Sequence, residues 1–158
     1  MKDPELLELL NRNVDFIKQA DTKAGYASTV LFVVVGFLIS KSALFTDHLS
    51  SLACLVLLLM LATLITTVIF RGIFPTIDSS LTKKSNIYFG SIASKSFRQF
   101  KKQAEAMSSK TYHAELLAQV YVTSEIAKAK MVNVKRAAFW LLVFVLLTGI
   151  ATIIAKYY

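Results

Sequence analysis

The sequence predicts an all-α integral membrane protein with three transmembrane helices and a cytoplasmic helical bundle. The bundle is expected to form from the N-terminal helix and the loop between the second and third spans. Hydrophobic residues make up 55% of the chain and the mean hydropathy is +0.56, more than a water-soluble core absorbs. Three apolar runs without proline each approach the roughly 20 residues that a bilayer requires.

These three runs define the predicted spans. The first covers residues 24–45, and its single charge, Lys41, lies near the far end, where a long stem reaches the headgroups. The second covers residues 49–70 and carries no charge. The third covers residues 137–155 and ends before Lys156. We expect residues 46–48 to be an external turn and residues 156–158 an external tail.

The distribution of basic residues predicts the orientation. The segment 71–136 holds 12 of the 18 lysines and arginines and only 4 acids, and the first 25 residues hold 4 more bases. Loops rich in lysine and arginine stay in the cytoplasm. We therefore expect residues 1–23 and the basic helical segment 71–136 to be cytoplasmic, and the C-terminus to lie outside.

An apolar stripe predicts that residues 1–23 form an amphipathic helix that continues into the first span. Its positions recur at three- and four-residue steps, and they are Leu6, Leu10, Val14, Ile17 and Ala24. Asp21 falls on this stripe.

A second stripe predicts a helix from about Lys110 that continues into the third span. Its positions are Leu117, Tyr121, Ser124, Met131 and Val134, and Lys128 interrupts it. Between the second span and this helix we expect a loop over Gly72 to Asn86, then a helical stretch over Ala93 to Met107, then a turn at Ser108 and Ser109.

Asp21 and Lys128 each place a charge on an apolar stripe near the membrane. An unpaired ion there is costly, and pairing is the usual remedy. We predict that Asp21 pairs with Lys128 or with Lys23. Such a pair either fixes the bundle or serves as a switch that a ligand breaks.

Catalytic and metal-binding patterns are missing from the sequence. His48 and His113 stand apart, and the five glycines assemble no P-loop or dinucleotide-binding turn. Cys54, the single cysteine, falls inside the second span and is expected to be a packing residue. We therefore expect that the protein is not an enzyme and that it has no catalytic residue, no metal site and no cofactor.

Three short blocks of the sequence carry a recognisable pattern. They are residues 20–24, residues 87–92, and the stretch from Gln119 through Ser124, Ile126, Ala127, Lys128 and Lys130 to Lys135, Arg136 and Ala137. Together they resemble the Pycsar effector family of bacterial antiphage transmembrane proteins. The first block, at the start of the first span, matches the family's Ala-Asp-x-Lys-Ala signature. The second is an aromatic-aromatic-Gly segment, in which Tyr88 and Ser91 replace the family's common phenylalanine and aspartate.

The resemblance implies a membrane effector in the bacterial inner membrane. Such effectors bind a cyclic nucleotide that a cognate cyclase makes on phage infection, and they then impair the membrane, so that the cell stops growing or dies. Under this interpretation basic side chains would contact phosphate and aromatic rings the nucleobase. The candidate ligand contacts are Tyr88, Phe89, Gly90, Lys128, Lys130, Lys135 and Arg136.

Two other functions remain open on the sequence: a constitutive, holin-like pore and a membrane scaffold that recruits a cytoplasmic partner. The basic segment is also explained by topology and by attraction to anionic lipids alone. Besides the lipid bilayer, we expect a second copy of the chain as a partner, because three helices enclose no aqueous pathway. Gly36 and Ser40 offer small residues for such pairing. No specific nucleic acid is expected.

Overall fold

The computed structural model describes residues 2–45, 49–74 and 87–157, and all the regular structure in these ranges is helical. In chain order the elements are α1 (Asp3–Ser40), a 3-10 helix (Ser42–Phe45), α2 (Leu49–Ile73), α3 (Phe89–Ala93), α4 (Phe97–Glu105) and α5 (Ser109–Tyr157). Helices α1, α2 and α5 are long and apolar enough to cross a membrane. The prediction of three membrane-spanning helices is therefore confirmed in the length and composition of these helices.

The two predicted continuous helices are also confirmed. Helix α1 has 38 residues without a break, and α5 has 49, so each is much longer than the roughly 20 residues that cross a bilayer. The predicted limits of the spans along these helices, at 24–45, 49–70 and 137–155, stay predictions.

The predicted helical stretch from Ala93 to Met107 was wrong in its bounds. Helix α3 ends at Ala93 and α4 begins at Phe97. The Ser96 hydroxyl accepts from the Gln99 backbone N–H at 3.4 Å, and the Gln99 carboxamide accepts from the Ser96 N–H at 3.1 Å. This capping box satisfies backbone donors at the start of a helix, and so fixes the start of α4.

Several predicted features lie outside the described residues. They are the external turn 46–48 with His48, residues 75–86 of the predicted loop, the Phe89 side chain and Tyr158. Gly72 and Ile73, assigned to that loop by the sequence, belong to the last turn of α2.

The chain divides into two compact units. We call Met1–Lys18 with Thr76–Ala129 the first unit, and Gln19–Pro75 with Lys130–Tyr158 the second unit. Helices α1 and α5 contribute residues to both units. The first unit also contains α3 and α4, and the second contains α2 and the 3-10 helix.

The core of the second unit is built from three helix stripes with alternating three- and four-residue steps. This spacing lets side chains of one helix fit between those of the next, and the alanines permit close approach. The buried positions are Ala20, Ala24, Ala27, Leu31 and Leu38 on α1, Leu58, Ala62, Ile65 and Ile69 on α2, and Val134, Ala137, Leu141, Phe144 and Ala151 on α5.

Large apolar side chains on these same helices point away from that core. Phe32, Leu57 and Phe139 are each more than half exposed. A water-soluble protein rarely leaves so many large apolar groups uncovered. Lipid acyl chains would cover these exposed side chains, which agrees with the membrane assignment.

Gly72 allows the end of α2 to lie close to α5. A Cβ atom at this position would lie 3.3 Å from the Cβ of Asn133, closer than ordinary side-chain packing permits. The Asn133 carboxamide donates to the Arg71 carbonyl at 3.3 Å. Glycine at residue 72 thus makes a direct α2–α5 contact possible.

We expect Gly72→Leu to lower the thermal unfolding temperature in nanodiscs, because overpacking costs about 1–3 kcal/mol. Gly149→Leu is the matched control, since a Cβ at Gly149 meets no atom within 4 Å. Both changes replace a helical glycine and gain similar helix propensity. Equal unfolding temperatures for the two variants would show that the close approach at Gly72 is not required.

Candidate functional site

Tyr88 and Gly90 form the start of α3 in the first unit. Tyr88 precedes the helix with an extended backbone at φ −81° and ψ 126°. A Cβ on Gly90 would lie only 2.8 Å from Cε1 of the Tyr88 ring. The missing side chain at Gly90 therefore leaves room for the ring to lie against the first turn of α3, with both residues half-buried.

The seven candidate ligand contacts divide between the two units. Tyr88, Phe89, Gly90 and Lys128 belong to the first unit, and Lys130, Lys135 and Arg136 belong to the second. Lys128, Lys135 and Arg136 are exposed, whereas Lys130 is buried.

Lys130 pairs with Asp21 in the second unit. Its ammonium donates to the Asp21 carboxylate at 2.5 Å, and its side chain is 9% exposed against 44% for Asp21. The predicted ion pair on Asp21 therefore exists, but the partner is Lys130 and not Lys128 or Lys23. This ammonium is engaged, so it would reach a phosphate only if Asp21 released it.

The position of the buried stripe on α5 explains the change of partner. Ala127, Lys130, Val134 and Ala137 are buried at steps of three and four. Lys128 lies about 200° around the helix from Lys130, on the exposed side. The sequence stripe through Leu117 and Tyr121 also lies on an exposed face, so the predicted register of α5 was wrong there.

Polar contacts join α1 to α5 in the first unit. The Asp3 carboxylate and His113 Nδ1 lie 2.5 Å apart. The Asn13 carboxamide donates to the Val120 carbonyl at 3.1 Å and to the Ser124 hydroxyl at 2.7 Å. Sequence analysis missed these contacts, because a lone asparagine or histidine does not reveal its partner. The available signal was the position of Asn13 next to the apolar stripe of α1, which placed a polar side chain near a packed face.

A polar pocket of about 270 Å³ lies beside Asp3 in the first unit. It is slightly smaller than most small-molecule sites. Its lining combines a carboxylate, two serines and an aromatic ring, from Asp3, Ala104, Met107, Ser108, Ser109 and Tyr112. No sequence pattern predicted this pocket, because its lining residues come from separate segments of the chain.

Tyr121 and Glu125 form an exposed hydrogen-bonded pair one turn apart on α5. The Tyr121 hydroxyl donates to the Glu125 carboxylate at 3.0 Å. This hydrogen bond, and the negative charge of Glu125, raise the pKa of Tyr121 above its ordinary value. The Tyr121 hydroxyl, which is protonated near neutral pH even at the ordinary pKa of a tyrosine, is the donor in this pair.

Four exposed bases lie at one polar end of the second unit. We call Lys23, Arg71, Lys135 and Arg136 the basic rim.

Among residues 2–45, 49–74 and 87–157, no group of three or more His, Cys, Asp or Glu side chains could hold a metal ion.

Comparison with known proteins assigns the family. The Pycsar effector protein domain matches residues 5–155, nearly the whole chain. This chain belongs to the Pycsar effector family. The resemblance drawn from the three sequence blocks is therefore confirmed, and the family is one of antiphage membrane effectors.

The Pycsar effector protein GmPycTM of Gulbenkiania mobilis is one relative of this Pycsar effector. The two are 31% identical over 105 residues, which cover 60% of this chain and 54% of the relative. The chain therefore spans about half the length of that relative. No solved structure matches the chain.

We expect Asp21→Ala to destabilise this Pycsar effector, because it leaves the buried Lys130 ammonium without its partner. Breaking a buried pair costs about 3–5 kcal/mol, and we expect about 1–3 kcal/mol here because partial exposure of Asp21 screens the charge. Thermal unfolding in nanodiscs measures the effect.

Lys128→Gln is the matched control and should change the unfolding temperature little, as exposed substitutions usually do. The exchange Asp21→Lys with Lys130→Asp should recover part of the loss caused by Asp21→Lys alone. A larger loss from Lys128→Gln than from Asp21→Ala would contradict the assignment of the pair.

Proposed function

We propose that this Pycsar effector senses a cyclic nucleotide through its first unit and then impairs the bacterial inner membrane, so that the infected cell stops growing or dies. The supporting observation is that the chain belongs to the family while its two longest helices, α1 and α5, supply residues to both compact units. A ligand that changes the contacts between α1 and α5 in the first unit would also affect the second unit, because the same two helices form part of its core.

The polar contacts of the first unit are suited to such a change. Asp3–His113 and Asn13–Ser124 hold α1 against α5 through side-chain hydrogen bonds and a partly exposed pair. Contacts of this kind contribute about 1 kcal/mol each, less than the free energy with which a micromolar ligand binds. Ligand binding is thus strong enough to replace them.

For the ligand contacts we propose the first-unit members of the candidate set: Tyr88, Phe89, Gly90 and Lys128. The Tyr88 ring, which lies against Gly90, offers an aromatic face on which a nucleobase can stack. An exposed ammonium offers a charge for phosphate. The polar pocket at Asp3 and Tyr112 is a second position in the same unit where a ligand could bind.

The topology that goes with this function places the N-terminus and residues 71–136 in the cytoplasm and the C-terminus outside. In this topology the first unit forms the cytoplasmic helical bundle. A membrane lesion requires several copies of three spans, so we propose a homo-oligomer.

The function is tested by reconstituting the full chain in liposomes and measuring membrane potential with a panel of cyclic mononucleotides and cyclic oligonucleotides. We expect depolarisation with one nucleotide and none without it. Leakage in the absence of every nucleotide would instead favour a constitutive pore. An intact membrane under all conditions would favour a scaffold.

The ligand contacts are tested with the nucleotide that causes depolarisation. We expect Tyr88→Ala to weaken its binding by about 5- to 150-fold, because base stacking on an aromatic ring contributes about 1–3 kcal/mol. Gly90→Ala should weaken it as well, since the new Cβ displaces the Tyr88 ring. Phe97→Ala is the matched control, because Phe97 is 78% exposed.

Loss of binding in Tyr112→Ala but not in Tyr88→Ala would move the site to the polar pocket. Unchanged affinity in both variants would exclude the two positions together. Isothermal titration calorimetry of nucleotide into detergent-solubilised protein measures the affinity of each variant and so distinguishes these outcomes. Circular dichroism confirms that each variant is folded.

A further inference from the structure

The polar end of the second unit that carries the basic rim has a large excess of positive charge. Residues 19–23, 71–74 and 130–136 contain five bases and one acid. That acid, Asp21, is bonded to Lys130. In the described part of the chain the other four bases, which are the basic rim, are exposed and form none of the ion pairs.

Two hydrogen bonds gather the rim at one place. Lys130 holds Asp21 of α1, and Asn133 holds the Arg71 carbonyl at the end of α2. Lys130 and Asn133 lie three apart and are therefore neighbours on the surface of α5, so the middle of α1 and the last turn of α2 contact α5 within one turn. Lys135 and Arg136 follow in the next turn.

The rim adjoins the apolar parts of the same helices. The last apolar residue before Arg71 is Phe70, and the apolar run 137–155 begins directly after Arg136. Basic residues at this position lie at the depth of lipid headgroups. The two arginines suit phosphate in particular, because a guanidinium can donate two parallel hydrogen bonds to its oxygens.

We propose that the basic rim binds the phosphate of an anionic phospholipid in the leaflet that this end of the second unit faces. A nucleotide phosphate has the same chemistry, but a lipid is present at this depth at all times and its acyl chains can lie along the exposed apolar faces of α2 and α5. The bound lipid bridges the parts of α1, α2 and α5 that the Lys130–Asp21 and Asn133–Arg71 contacts already bring together. This site does not depend on the proposed nucleotide ligand.

The test titrates phosphatidylglycerol into the detergent-solubilised full chain and counts bound lipids by native mass spectrometry. Each base near a membrane surface strengthens lipid attraction about fivefold. The variant with Arg71→Gln, Lys135→Gln and Arg136→Gln should therefore bind phosphatidylglycerol about 100-fold more weakly. Phosphatidylcholine, which has no net charge, should bind both proteins weakly.

The matched control is Lys41→Gln with Lys156→Gln, which removes exposed bases elsewhere in the second unit. We expect it to keep wild-type lipid affinity. Equal losses in the two variants would mean diffuse charge attraction and would overturn the site. Unchanged affinity in the rim variant would overturn it too.

Two further measurements keep the proposal testable if the rim variant fails to fold. Arg71→Lys with Arg136→Lys keeps the charge but removes the two guanidinium groups. This variant should fold, and it should bind phosphatidylglycerol more weakly than the wild-type protein does. Competition with inorganic phosphate and the cyclic nucleotide panel identifies the source of the phosphate. Displacement of the lipid by micromolar nucleotide would overturn the lipid assignment, and retention of the lipid supports it.

Discussion

A lysine ammonium buried among helices must be neutralised by a nearby acid, and the pair between Lys130 and Asp21 satisfies this requirement. Lys130 lies on the same stripe of α5 as Val134, Ala137 and Leu141, so its charge faces inward with the core. A rotation of α5 by one residue, about 100°, would separate the ammonium from Asp21. The pair therefore fixes which faces of α1 and α5 meet, and the alanine-rich packing of the second unit follows from it.

The sequence was sufficient for features that depend on local composition. Apolar run length predicted three spans, and the unbroken periodicity predicted that α1 and α5 continue past them. Short blocks such as Ala20–Ala24 were sufficient to suggest the family. Each of these signals lies within one stretch of chain and needs no knowledge of which helix packs against which.

Features that depend on the partner helix were not predictable in the same way. In α5 two adjacent faces carry apolar residues, one through Leu116 and Ala127 and the other through Leu117 and Tyr121. Periodicity alone does not select between them, and the sequence interpretation chose the face that is exposed. The predicted pairing of Asp21 with Lys128 or with Lys23 missed Lys130, which lies on the buried face of α5. The contacts of His113 and Asn13, and the polar pocket, likewise require the fold.

The division of the chain into two units separates two kinds of positive charge. Lys128 belongs to the first unit, as do the other proposed nucleotide contacts, whereas the basic rim belongs to the second unit and adjoins the apolar runs in sequence. In the proposed function, basic side chains would bind a soluble anion in the first unit and lipid in the second. Helices α1 and α5, which contribute residues to both units, would transmit ligand binding to the core of the second unit.

Cys54 offers the most direct measurement of whether ligand binding changes that core, because it is the single cysteine and packs half-buried against the core of the second unit. The measurement is its rate of labelling by a charged, water-soluble maleimide in liposomes, with and without the nucleotide that causes depolarisation. We expect faster labelling with that nucleotide, since separated helices admit water and reagent. Depolarisation with an unchanged labelling rate would contradict a change in the packing of the second unit.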